Sequence, residues 1–403
     1  MKLTQYFKKF FESSQSSGII LILCVLVSLF IANSSLGTGF QNILDSHLGP
    51  YSVAEWINDG LMSVFFLLVG LEIKREMLEG ELSNIKNASL PIFAAIGGML
   101  VPALIYAFFN NGTEYAKGWG IPMATDIAFS LAIISMLSSR VPASIKIFLA
   151  ALAIVDDLGA ILVIAIFYTE QLHWSYLLIS GGILVLLVLF NKLGVKKHIF
   201  YLIPGAALWY CMHHSGIHAT IAGVLLAFTI PTNSSETETS PLEKLEGMLH
   251  TPVNYLIMPI FALANTNIVF QKGMVDGLFT SFGAGIIGGL IIGKLVGILF
   301  FSFIAVKLGI SKLPQHSKWS QMVGVGLLAA IGFTMSIFIA ILSFKGHQDI
   351  QDEAKFAILV ASTLAGFGGY TVLKLTSKRE EESIKIKKIN LIGFRNLQGK
   401  YYK

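Results

Sequence analysis

Four ionisable side chains sit in stretches of the chain that are otherwise oily: Asp126, Asp156, Asp157 and Lys294. Asp156 and Asp157 are neighbours at the centre of IFLAALAIVDDLGAILVIAIF, an apolar run from Ile147 to Phe167. A helix crosses a bilayer with about 20 apolar residues, so the pair falls where a charge is most costly. Each aspartate there costs about 2.5–3.5 kcal/mol to insert. Lys294, in AGIIGGLIIGKLVGILFFSFI, is too deep for its ammonium to reach the membrane surface and needs an internal partner. The acids outnumber it, so at least one carboxylate must be protonated, unpaired or holding a cation. A purely structural ion pair would not require that excess.

Helix geometry separates the two neighbours. Consecutive residues point about 100° apart, so one aspartate can face Lys294 while the other faces a cavity. Two carboxylates this close do not readily ionise together, and their titrations couple. Such a site can exchange a proton for a cation. Oxygen ligands from Asp, Thr and freed carbonyls suit a hard ion such as Na⁺ or Li⁺ and do not suit zinc or copper.

The elements that hold these groups must be membrane helices. Of the 403 residues, 54% are hydrophobic and 13% charged, and mean hydropathy is +0.70. A soluble domain carries about 25% charged residues. Apolar runs predict about twelve spans, near 17–34, 57–78, 88–109, 118–138, 143–168, 173–190, 199–213, 216–230, 251–265, 279–306, 319–344 and 354–375. Lys and Arg gather at alternate loops, as at Lys74, Arg75 and Lys86, or Lys192, Lys196 and Lys197. The positive-inside rule then puts both termini in the cytoplasm. The basic start, MKLTQYFKKFFESSQ, reads as an interfacial helix rather than a cleaved signal. The polar stretch PTNSSETETSPLEKLEG reads as a solvated loop. Residues 1–376 form the transmembrane domain and 377–403 a basic cytoplasmic tail, either solvated or lying on anionic lipid. The net charge of +5 is thus a topology signal, and no nucleic-acid partner is implied.

Two predicted spans look interrupted. In KGWGIPMATDIAFSLAII, Gly118, Gly120 and Pro122 precede Thr125 and Asp126. In GVGLLAAIGFTMSIFIAI, Gly332 precedes Thr334 and Ser336. Proline frees a carbonyl and glycine lets the backbone unwind, which membranes tolerate only inside protein or along a cavity. Close helix packing through small residues is the plainer explanation, but Asp126 beside the break favours an ion site.

A second cluster, Glu72, Arg75, Glu76 and Glu79 in GLEIKREMLEGEL, shares one helix face at i, i+3, i+4 and i+7. It reads either as a solvated helix end or as a charged funnel that gathers cations and senses pH. Glu246 and His250 border the polar loop and belong to a charged surface there. Asp59 reads as interfacial. Among His213, His214 and His218, only His218 is kept as a pH-sensing candidate. Cys24 and Cys211 read as buried hydrophobes, with no disulfide or metal pattern.

VFFLLVGLEIKRE, IPMATDIAFSLAI, LAALAIVDDLGAILVIA, SGIHATIAGV, IIGKLVGI and IGFTMSIFIA, in this order, resemble the NhaA-type bacterial sodium/proton antiporters. The resemblance runs from the first apolar span to the last. It implies an all-α fold of twelve transmembrane helices with inverted repeats of spans three to five and ten to twelve, spans four and eleven being broken and crossing; the family is itself a standing example of this pattern. It implies electrogenic, pH-regulated export of Na⁺ or Li⁺ in exchange for protons across the bacterial inner membrane, with no resident cofactor and no catalysed reaction. A homodimer is the candidate assembly. By position, Asp157 would be the principal ligand for Na⁺ and the proton, and Asp156 its proton-linked partner, pairing with Lys294. Thr125 would line the site, and Asp126 and Lys294 would offset the broken helix ends. Glu72, Arg75, Glu76 and Glu246 would belong to a cytoplasmic pH-responsive surface, with His218 the separate pH-regulation candidate read from its residue type. Gly247 stands where the family often has histidine, Leu295 where it often has proline, and the basic tail is not a general family feature.

Rival readings fit less well. An intramembrane aspartyl protease would carry GxGD, and a prenyl-transfer enzyme DDxxD; neither is present. A Na⁺-coupled solute transporter remains the alternative, but no solute ligands stand out.

Overall fold

The computed structural model describes residues 16–169, 171–232 and 239–377. The expected interfacial helix at the start, the middle of the polar loop and the tail beyond Ser377 lie outside them.

The described chain is a helical bundle. Its elements are α1 (Ser16–Ala32), α2 (Gly37–Asp45), a short hairpin of β1 (His47–Leu48) against β2 (Tyr51–Ser52), α3 (Val53–Leu78) and α4 (Ile85–Asn110). A tightly wound 3-10 segment, Glu114–Met123, leads to α5 (Ile127–Met136). There follow α6 (Ala143–Phe167), α7 (Trp174–Lys192), α8 (Ile199–Ser215), α9 (Ile221–Thr229) and α10 (Pro241–Asn265). The last are α11 (Ser281–Lys307), α12 (Trp319–Ala329), α13 (Phe333–Ser343) and α14 (Gln348–Thr376). Among the described residues, seven continuous helices are long and apolar enough to cross a membrane, and ten spans result if each bent pair counts once. At 17 and 9 residues, α8 and α9 are too short to meet that test alone.

The polarity is that of a membrane protein. Large apolar side chains point outward, with Phe108 84%, Leu178 75% and Phe367 75% exposed, while Asp126, Asp156, Asp157 and Lys294 are at most 1% exposed. A soluble protein does the reverse.

Helices approach closely where glycine permits it. A Cβ on Gly297 of α11 would collide with the carbonyl of Gly97 on α4, so these two helices pack backbone to backbone. Just upstream, Gly288–Gly293 is wound as a π turn that ends where Lys294 begins. The extra residue of such a turn re-aims the side chains that follow.

One expectation is corrected here. The predicted solvated loop ends earlier than its composition suggests, because Ser240 caps α10. Its hydroxyl accepts from the Glu243 amide, and the Glu243 carboxylate accepts from the Ser240 amide. The S-x-x-E pattern with proline at the first helical position was a readable start signal.

Candidate functional site

The two broken spans meet at their breaks. The axis turns by 40° between the 3-10 segment and α5, and by 44° between α12 and α13. A break leaves carbonyls without partners at the end of one half and amides without partners at the start of the next. Here each span satisfies the other. The Asp126 amide donates to the Ile331 carbonyl at 2.7 Å, the Thr125 hydroxyl lies 2.8 Å from the Ala329 carbonyl, and the Ser336 hydroxyl donates to the Ile121 carbonyl at 2.7 Å. A Cβ on Gly332 would collide with the Ser336 hydroxyl and crowd the Ala124 carbonyl at 3.1 Å, so a larger residue would push this contact apart.

Asp126 sits at the N-termini of both second halves. Its Oδ1 accepts from the Phe129 amide of α5 at 2.9 Å. Its Oδ2 accepts from the Thr334 amide of α13 at 3.1 Å and from the Thr334 hydroxyl. A carboxylate at a helix N-terminus opposes the partial positive charge there, and this one serves two helices. The Phe333 amide, at the start of α13, donates to the Ser362 hydroxyl on α14 at 3.1 Å.

Asp156 and Asp157 lie on α6, and they do face apart. Asp156 Oδ2 forms an ion pair with Lys294 Nζ of α11 and lies 2.6 Å from the Thr125 hydroxyl. Lys294 also donates to Thr125 Oγ1 at 2.8 Å. With a single proton, Thr125 donates to Asp156 or to Ala329, one at a time. Asp157 is different. It is 1% exposed, yet both carboxylate oxygens lack a hydrogen-bond partner among the described residues. It borders a cavity of about 520 Å³ that runs from buried Asp126, Asp157 and Thr334 to the partly exposed Glu72, Arg75 and Glu76, with His250 alongside. Such a carboxylate wants a proton or a hard cation.

Further along α13, Phe338 is fully buried and packs on Phe66 at 5.5 Å, Phe261 at 6.2 Å and the His218 ring at 5.4 Å.

The second cluster is partly as the spacing suggested. Arg75 pairs with Glu76 at 3.4 Å and with Glu246 of α10 at 3.0 Å, the latter without the alignment of a hydrogen bond. Glu79 lies just past the end of α3. His218 does not join this surface. It lies 3.6 Å from Asp59, as does His213, and Asp59 is 13 residues, about 20 Å of helix, from Glu72. Asp59 therefore has two histidines beside it, each an ion-pair partner when protonated.

Sequence reasoning missed Lys74, whose ammonium caps α9 by donating to the Phe228 and Ile230 carbonyls at 2.8 and 2.5 Å. It also missed the burial of Lys355, which is 5% exposed and pairs with Asp352 at 3.2 Å. The Lys74 partnership depends on a neighbouring helix and no local motif announces it, whereas Asp352 and Lys355 stand at i, i+3 on α14, a spacing the sequence shows.

Comparison with known proteins bears on this arrangement. Residues 8–373 match the family model described as Na⁺/H⁺ antiporter 1. The Na⁺/H⁺ antiporter NhaA 2 of Flavobacterium johnsoniae is 58% identical over 385 residues, covering 93% of this chain and 94% of that protein. The NhaA antiporter of Flavobacterium psychrophilum is 52% identical, covering 94% and 98%. That of Dechloromonas aromatica is 50% identical, with the same coverage. A match of this extent over a bundle with paired broken spans and buried acids at their meeting point leaves one conclusion: the chain belongs to the Na⁺/H⁺ antiporter 1 family.

Proposed function

We propose that this protein exports Na⁺ or Li⁺ from a bacterial cell in exchange for protons, with Asp157 as the site where cation and proton compete. The observation that carries the reading is the isolation of Asp157. Asp126 is held by two helix N-termini, and Asp156 has Lys294 and Thr125. Asp157 alone of the three has both oxygens unpartnered among the described residues, at the buried end of a cavity. A carboxylate in that setting is neutralised by H⁺ or by Na⁺, and binding one excludes the other.

Asp156 is the proton-linked partner. Its pairing with Lys294 offsets both buried charges while Asp157 carries no cation. A cation on Asp157 changes the field at Asp156 one residue away and loosens that pair, which couples occupancy to the packing of α6 against α11. Asp126 and Thr125 hold the crossed helix ends in register. The cavity supports access from the Arg75 end, and the packing around Phe338 supports closure towards the other end. Glu72, Arg75, Glu76 and Glu246, at that mouth, form the pH-responsive surface.

Counting α8 and α9 as further spans gives the twelve expected. The order continuous helix, broken pair, continuous helix occurs twice, in α4 to α6 and in α11 to α14, which supports inverted repeats. The loop charges support a bacterial inner-membrane orientation with the Arg75 end and both termini on the cytoplasmic side. Na⁺-coupled solute uptake has no support among the relatives, which are named as antiporters.

Everted vesicles test the proposal. Adding Na⁺ or Li⁺, but not K⁺, should dissipate a respiration-driven proton gradient, and Asp157→Asn should abolish the response. Full response in Asp157→Asn would remove Asp157 from the role.

A further inference from the structure

We propose that an anionic phospholipid headgroup binds in a trough between the starts of α4 and α6 and the loop after α11, a site distinct from the ion cavity. The trough has a volume of about 820 Å³. Its rim carries Lys86, on the first turn of α4, and Lys312, beyond the end of α11. Both are exposed, and among the described residues neither ammonium has an ion-pair or hydrogen-bond partner. Glu81 is the one carboxylate on the rim and leaves a net positive charge there. The floor is apolar, with Leu90 and Phe148 buried and Ile147 47% exposed.

The position selects the ligand. Lys86 and Lys312 stand at the ends of helices long and apolar enough to span a membrane, so they lie at the headgroup level of one leaflet. A cationic rim above an apolar floor that opens along two membrane helices matches a phosphate headgroup with its acyl chain against Ile147 and Phe148. A free phosphate would use the rim and leave the floor uncovered. The trough lies at the Arg75 end of the bundle, because an adjoining chamber shares Ile147 and Ala151 with it and reaches Glu76. Ile147 and Ala151 are on α6, the helix of Asp156 and Asp157, so lipid there rests on the element that carries the ion site.

A lysine near an anionic lipid surface contributes about fivefold in affinity, and the two together about thirtyfold. The test uses purified full-length protein, delipidated in detergent and examined by native mass spectrometry and thermal melting. Phosphatidylglycerol should bind and raise the melting temperature, while phosphatidylcholine and inorganic phosphate should do neither. Lys86→Gln with Lys312→Gln should weaken phosphatidylglycerol binding about thirtyfold. Lys307→Gln with Lys374→Gln, an equal charge loss elsewhere, should leave that binding unchanged. Ile147→Trp, which fills the floor and keeps both charges, should also displace the lipid. Unaltered binding in the Lys86/Lys312 variant would overturn the site, equal binding of phosphatidylcholine would overturn its charge selectivity, and full stabilisation by inorganic phosphate would overturn the lipid in favour of a simple anion. Loss of this binding with Na⁺-driven proton flux intact would leave the ion-site proposal standing.

Discussion

Replacing Lys294 by methionine isolates the energetics of the buried pair. In the folded protein Lys294 and Asp156 have side chains 1% exposed, and they form an ion pair with Thr125 hydrogen-bonded to both. Methionine fills most of the lysine volume, so little cavity is made and the charge is the principal loss. It leaves Asp156 a buried carboxylate with only the Thr125 hydroxyl as donor. Removing one partner of a buried pair costs about 3–5 kcal/mol, whereas replacing both by apolar groups of similar size is often neutral. Lys294→Met should therefore lower the melting temperature in detergent by many degrees, and Lys294→Met combined with Asp156→Leu should recover most of the loss. The coupling in that double-mutant cycle should be at least about 2 kcal/mol. Melting of Lys294→Met at the temperature of the unaltered protein would refute the pairing. A double variant that melts no higher than the single one would refute the claim that the uncompensated carboxylate is the cause.

Other expectations follow from the same geometry. Asp126→Ala removes the carboxylate that accepts from amides of two half-helices. At about 1 kcal/mol per cap it should cost about 2 kcal/mol in thermal unfolding, and Asp126→Asn, which keeps an acceptor, should cost less. Glu246→Ala leaves Arg75, whose side chain is 37% exposed, with Glu76 as its carboxylate partner. The lost pair contributes less than about 1 kcal/mol, so melting should hardly change, while the pH dependence of Na⁺-driven proton flux in vesicles should shift. An unshifted profile would take Glu246 out of the pH-responsive surface.

Much of the site was legible because membranes penalise charge so heavily that Asp126, Asp156, Asp157 and Lys294 stood out without any alignment. That Asp156 and Asp157 face apart follows from helix geometry alone, and Gly118, Pro122 and Gly332 marked the two breaks. The cross-span bonds were not legible. Asp126 reaches Ile331 and Thr125 reaches Ala329, contacts over some 204 residues that leave no local pattern. The partner of His218 was not legible for a related reason: only the packing of α3 against α9 brings it beside Asp59. Lys74 read as part of a solvated helix end because its true partners are carbonyls at the end of another helix. The shortness of α8 and α9 was partly legible, because the apolar runs 199–213 and 216–230 fall below the length of a full span, but the start of α9 at Ile221 was not, since hydropathy does not register where a helix starts.

Cation binding to the purified protein tests the competition at Asp157 most directly. Titrating Na⁺ into detergent-solubilised protein at several pH values should release protons into weakly buffered solution. In the pH range where the site holds a proton, apparent Na⁺ affinity should fall by up to tenfold per unit drop in pH, because lower pH favours the competing ligand. Asp157→Asn should neither bind Na⁺ nor release protons. Na⁺ affinity that stays constant with pH, or proton release that persists in Asp157→Asn, would contradict the account.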